Sequence, residues 1–127
     1  MAIIRLMEES EATGRVKEIF EEIKTTFGIP FVPQLFRALG NKPAQLEAVW
    51  GQVKGLFGSG SLDVRTKAMV ALAVAAAQRC SYFVKIHAAL VKRLGAGDEE
   101  IAELLEVASL STALNTLVTG LGLDPEL

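Results

Sequence analysis

Apolar residues recur at helical spacing along nearly the whole chain. Val16, Ile19, Phe20, Ile23 and Phe27 follow the i, i+3, i+4, i+7 rule, with charges on the opposite face and Gly28 placed to stop the helix. Pro33 opens a short second helix through Leu35, Phe36 and Leu39 to Gly40, since a proline at a first helical position loses no bond. Asn41 is placed to cap a third helix, with Pro43 just inside it and a stripe of Leu46, Val49, Trp50, Val53, Leu56 and Phe57. Gly58-Ser59-Gly60-Ser61 is a flexible connector, too short to mark a domain boundary. Asp63 then suits the N-cap of a fourth helix that is alanine-rich and apolar on most faces. Alanine lets backbones approach closely, which predicts a place for this helix at the centre of the packing.

Arg79, Cys80 and Ser81 form the joint to a fifth helix, over about 81–94, which Gly95 stops. Asp98 is placed to cap the last helix, with Glu99 and Glu100 near the positive end of its dipole. Its expected core face is Ile101, Leu104, Leu105, Ala108, Leu117 and Leu121, and the tail from Gly122 is expected to fray. No stretch alternates like a strand. The pattern predicts an all-α domain of about six helices spanning residues 1–127.

Composition adds a partner to that picture. Half the residues are hydrophobic and the mean hydropathy is +0.35, which is high for a small soluble monomer and predicts burial against copies of the same chain. Thirteen basic and fifteen acidic residues give a net charge of −2 with no basic stripe, which argues against nucleic acid and anionic membranes. The apolar run between Lys67 and Arg79 is eleven residues long, against the roughly twenty a bilayer needs, and reads as a buried core helix. The N-terminus turns acidic too early for a signal peptide. A single cysteine can form no internal disulfide and no four-thiolate zinc site, which fits a reducing, cytoplasmic setting, and no cofactor is implied.

That cysteine, Cys80, and the only histidine, His87, lie seven residues apart. A thiol and an imidazole are the side chains best suited to chemistry near neutral pH. At the start of a helix a sulfur meets unpaired N–H groups and the positive dipole end, which favour the thiolate, and Arg79 and Lys85 add positive potential. The spacing puts His87 on the same face but roughly 10 Å further along the axis, so a direct hydrogen bond needs a distorted first turn or a bridging water.

Residues 62–87 resemble the carboxymuconolactone decarboxylase and alkylhydroperoxidase D-like family, where an alanine-rich helix leads into Cys-x-x-Cys-x-x-x-His. Val32-Pro33-Gln34-Leu35-Phe36-Arg37-Ala38-Leu39 is similar to that family's Pro-x-Leu-Phe-Arg-Ala-Leu segment, so the resemblance covers about 30–115. It implies an all-α fold assembled as dimers, trimers or hexamers with helices exchanged between subunits. It also implies a thiol peroxidase whose second motif cysteine attacks and whose first resolves, with histidine and an upstream glutamate relaying protons. Cys80 matches the resolving cysteine and His87 the histidine; Phe83 stands where the attacking cysteine would be, and Ala68 where the glutamate would be.

The expected activity is therefore alkylhydroperoxidase-like reduction of a hydroperoxide at a single cysteine, restored by an external thiol. Two alternatives stand beside it. One is a cofactor-free decarboxylase or lyase with His87 as acid–base group, drawing on Asp63, Glu103 or Glu106 for a carboxylate. The other is an inactive member serving as a binding or assembly module. Cys80 and His87 are the expected catalytic residues, with Tyr82, Phe83, Arg37 and Phe36 around a small-molecule pocket. Each also has a plain reading: Cys80 as a small buried hydrophobe, His87 as a core histidine, Phe83 as filling.

Overall fold

The computed structural model describes residues 1–127, and every regular element in it is helical. A short 3-10 turn, Glu9–Glu11, precedes six α-helices: α1 (Gly14–Phe27), α2 (Gln34–Leu39), α3 (Pro43–Gly58), α4 (Val64–Ala77), α5 (Ser81–Arg93) and α6 (Asp98–Leu121). The chain forms two compact units, Met1–Gly58 and Ser59–Leu127, which divide at the glycine-serine connector.

The first unit is built around Trp50. The expected α1 stripe, Val16, Ile19, Phe20 and Ile23, is buried against Leu46 and Trp50 of α3 and Phe36 of α2. The indole is met edge-on by Phe27 and Phe36, each with ring centroids 5.7 Å away. Its N–H donates to Glu22 at 2.8 Å, so this large ring is buried with its polar handle satisfied. Leu56, expected on the α3 stripe with Leu46 and Trp50, is exposed.

In the first unit the caps differ from expectation at two places. Pro33 sits one residue outside α2, at its N-cap. Asn41 does not cap α3: its amide donates to the carbonyls of Arg5 (2.7 Å) and Ala38 (2.9 Å), while the Lys42 carbonyl accepts the first bonds of the helix. Asn41 thus ties down the segment that precedes the 3-10 turn. That segment is held further by Met7, whose N–H donates to the Arg37 carbonyl.

In the second unit α4 packs against both α5 and α6, as its alanine content predicts. Ala68 and Leu72 of α4 are buried with Val91 of α5 and Ala96, ringed by half-buried Met69, Val84, Leu90, Ile101 and Leu104. Asp63 caps α4 by accepting the Thr66 N–H at 2.7 Å, as expected. α6 starts one residue earlier than a cap at Asp98 would place it: Gly97 is the N-cap, and its N–H donates to Glu100. Arg65 reaches Glu100 at 2.6 Å and ties α4 to α6.

The core face expected for α6 is only half right. Ile101, Leu104 and Ala108 are half-buried, but Leu105, Leu117 and Leu121 are exposed, and no residue of α6 is fully buried. At 100° per residue the cause is a change of phase. Ile101, Leu104 and Ala108 share one side; Val107, Leu110, Leu114, Leu117, Val118 and Leu121 form a second apolar stripe about a third of a turn away. α6 is also long and apolar enough, by length and composition alone, to cross a membrane, with none of that stretch buried.

Between α4 and α5 the chain reverses through Arg79, the one non-glycine residue with positive φ (57°). The Arg79 N–H bonds back to the Ala76 carbonyl and the Cys80 N–H to that of Ala75, a turn that usually carries glycine. A side chain in this conformation costs about 1 kcal/mol. Arg79→Gly is therefore expected to stabilise the protein by up to about 1 kcal/mol in urea unfolding, the relief of crowding at Cβ outweighing the added freedom of the unfolded chain. A loss of stability instead would show that the arginine side chain contributes more than the strain it causes.

Candidate functional site

Cys80 is the N-cap of α5, a free and half-buried thiol whose side chain makes no capping bond. The reversal at Arg79 sets its place. With its N–H returned to α4 and its carbonyl accepting the Val84 N–H at 2.9 Å, Cys80 is fixed at both backbone ends where α5 begins.

α5 runs as a helix from Ser81, so His87 stands roughly 10 Å along the axis from the thiol. What lies against His87 is Phe83, four residues earlier and hence its neighbour on the helix surface. The two rings stack with centroids 5.2 Å apart and planes 16° from parallel. Tyr82 meets Phe83 edge-on, with centroids 5.1 Å apart and planes at 87°. The imidazole Nδ1 is buried and has no hydrogen-bond partner. Burial lowers the proton affinity of His87 below the usual 6.5.

The structure thus brings Tyr82, Phe83 and His87 into one aromatic series on α5, with Cys80 at the start of the same helix. Phe36 and Arg37 belong to the first unit, where both have other work. Phe36 is buried in the core against Trp50. The Arg37 guanidinium donates to the Met7 carbonyl at 2.9 Å and pairs with Glu8 at 3.1 Å. The acid that Arg37 pairs with thus lies in its own chain, not in a substrate pocket.

The carboxylates considered for the site are spoken for or elsewhere. Asp63 is engaged at the α4 cap, where the Thr66 N–H holds its carboxyl below the usual range. Glu103 and Glu106 are exposed on α6. Ala68, in the place the resemblance gives to a glutamate, is fully buried in the second unit's core, where a carboxylate would lose its water. Two features had no reading from sequence. Nothing marks Arg79 as left-handed, because such positions are signalled by glycine or asparagine. The Phe83–His87 spacing of four was visible and is the signal for their stack.

The helix order, the alanine-rich α4 and the thiol-bearing start of α5 define an alkylhydroperoxidase D-like helical fold. The chain superposes on the alkylhydroperoxidase AhpD core of Rhodospirillum rubrum with a TM-score of 0.93 and 36% identity, over 99% of this chain and 95% of that one. Residues 43–123 match the carboxymuconolactone decarboxylase family, and the chain belongs to that family. Among curated proteins it is 29% identical to an (R)-2-haloacid dehalogenase of Pseudomonas putida over 111 residues, 83% of this chain and 35% of that protein. It is 39% identical over 56 residues, 44% of this chain, to uncharacterized protein 4 in the cox locus of Paracoccus denitrificans, 50% of whose length is matched. The chain therefore spans about a third and about half of the curated relatives it matches.

The site has a pH signature. His87 binds its proton less readily folded than unfolded, so between its folded value and about 6.5 the unfolded chain holds more protons. Stability from this group is full above about 6.5 and is lost as pH falls through the lower folded value. The lowered carboxylates, Glu9, Glu11, Glu22, Glu47, Asp63 and Glu100, act only at lower pH, below their ordinary values of 4.5 and 3.8. Urea midpoints measured from pH 7.5 to 5.5 are expected to fall in the wild type and to stay nearly level in His87→Gln. Parallel curves for the two proteins would show that His87 is not held neutral by the fold.

Proposed function

We propose that this protein is an alkylhydroperoxidase-like oxidoreductase of the cytoplasm that reduces organic hydroperoxides at Cys80. The observation that carries this reading is a free, half-buried thiol at the start of α5, in a scaffold 36% identical along almost its whole length to an alkylhydroperoxidase core. The thiolate is the nucleophile in such chemistry. The thiolate sulfur attacks the outer oxygen of the hydroperoxide; an S–O bond forms, the O–O bond breaks, and the alkoxide leaves and takes a proton from water. Cys80 is then a sulfenic acid. With Phe83 where a second thiol would stand, an external thiol condenses with it, releasing water, and a second external thiol frees Cys80 as a disulfide departs.

Cumene hydroperoxide consumption with dithiothreitol is expected in the wild type and at least a hundredfold less in Cys80→Ser, with the sulfenic acid trapped by dimedone at Cys80 alone. Equal turnover in both proteins would sink the reading. The replacements at Phe83 and Ala68, together with the likeness to a haloacid dehalogenase, favour a second reading: acid–base chemistry at His87 on a small organic acid. Lactone decarboxylation or halide release that His87→Gln abolishes and Cys80→Ser spares would establish it.

The same reading includes a partner, a second copy of the chain seated on the outer stripe of α6. The support is physical. Leu110, Leu114, Leu117 and Leu121 are each at least half exposed on one side of α6, and residues 107–123 carry no charge. A stripe about 100° wide fits one facing helix. Helices that lie on membranes are rich in Lys and Arg, and no residue from Asp98 onward is basic. Light scattering is expected to give a dimer or larger closed oligomer for the wild type and a monomer for Leu114→Glu. A wild-type monomer, or one that floats with phosphatidylcholine vesicles, would overturn this assembly.

A further inference from the structure

His87 has one ring edge sealed and the other not. Its Nδ1 is buried without a partner, while Nε2 on the far edge is not in that condition. One face of the ring is covered as well: Phe83 lies almost parallel to the imidazole, and Tyr82 braces Phe83 from the side.

Three proton arrangements are open to an imidazole, and the site ranks them. The charged form puts a donor on both nitrogens, leaving a cationic N–H at Nδ1 with no acceptor. The neutral form with its proton on Nδ1 leaves a buried donor unmade, the full desolvation penalty of that group. The neutral form with its proton on Nε2 turns only a lone pair towards the apolar side. That form is the least costly. Burial is the one cause of the lowered proton affinity of His87. No charge enters from Arg65 or Lys67 on α4, from Lys85, Lys92 or Arg93 on α5, or from the acids at the start of α6, and neither Cys80 nor Tyr82 adds to it.

We propose that Phe83 is a positioning residue: its ring covers the face of His87 and holds the imidazole with Nδ1 turned inward, which fixes the neutral Nε2–H form and makes His87 a hydrogen-bond donor to the substrate rather than a proton acceptor. The role towards substrate rests on the hydroperoxide reading; the fixed proton does not. As the O–O bond breaks, negative charge gathers on the leaving alkoxide oxygen, and Nε2–H donates to it while water supplies the proton. His87 ends the step as it began. The relay implied by the family resemblance instead needs a histidine that gains and loses a proton.

A single histidine makes the test direct. Long-range 1H–15N correlation spectra of the 15N-labelled wild type are expected to show mainly the neutral Nε2–H form at pH 6.5, where an ordinary imidazole is half charged. Its ring protons are expected upfield from the Phe83 ring current. Phe83→Leu keeps an apolar cover, so the tautomer is expected to persist while the ring-current shift disappears. Phe83→Ala uncovers the face and frees the ring to turn, and the titration midpoint is expected to rise towards 6.5 with both tautomers present. A His87 that is mainly charged or Nδ1-protonated in the wild type at pH 6.5 overturns the proposal whatever the variants do. So does a Phe83→Ala protein that folds and titrates like the wild type; should it not fold, the wild-type and Phe83→Leu spectra decide. A wild type with the fixed Nε2–H form that consumes no hydroperoxide defeats the peroxidase reading and leaves the fixed proton in place.

Discussion

The Cys80 N–H reaches back to the Ala75 carbonyl, and that one backward bond allows α5 to fold against α4. Without it α4 would end in unpaired carbonyls and the next helix would have no fixed direction. The same bond requires the left-handed backbone at Arg79, so the chain accepts local strain exactly where its only thiol enters a helix cap. Strain of this kind persists only when the surroundings over-determine it. Here they do, because Ala75 is buried on one side of the turn and the Cys80 carbonyl is already committed to Val84 on the other.

The two units hold together by different means. The first is stitched with charge: Arg15 reaches Glu18, Glu22 and Glu47, Lys24 reaches Glu9 and Glu21, and Glu22 also receives the Trp50 N–H. Exposed pairs of this sort contribute roughly 0–1 kcal/mol each, so Trp50 and its apolar neighbours carry most of the stability and the ions set register. In the second unit small residues let α4, α5 and α6 approach closely, and Arg65–Glu100 is a fastening at the helix ends. A core of alanine and single branched residues buries little area per residue.

Much of this was legible in the sequence, because it rests on local rules. The α1 stripe, Gly28 as a left-handed stop, the Asp63 cap and the central place of α4 each follow from spacing or from one residue's chemistry. The misses have a common origin in distance along the chain. Asn41 had the composition of a cap, but the Arg5 carbonyl, far away in sequence, offered its amide a better partner. Phe36 and Arg37 sat in a segment shared with a family, yet Trp50 and Met7 claim them. In α6 Leu117 and Leu121 were counted onto the face of Ile101 and Leu104, since a count of spacing does not register where the phase slips. At the site, residue types were readable and roles were not: the i, i+4 stack of Phe83 on His87 is a helical rule, but the sealed Nδ1 depends on packing no spacing reveals.

The side of α6 away from its outer stripe has a consequence of its own. Ser109, Thr112 and Thr116 turn their hydroxyls onto the carbonyls of Glu106, Ala108 and Thr112, at 2.8–3.1 Å. A hydroxyl is a rotor: in water it can swing outward and be hydrated, and in a dry setting it can swing back and lose no bond. α6 therefore carries its own interchangeable solvation. A freshly made chain can hydrate these three hydroxyls before anything covers the helix, and dry them afterwards without stranding their donors.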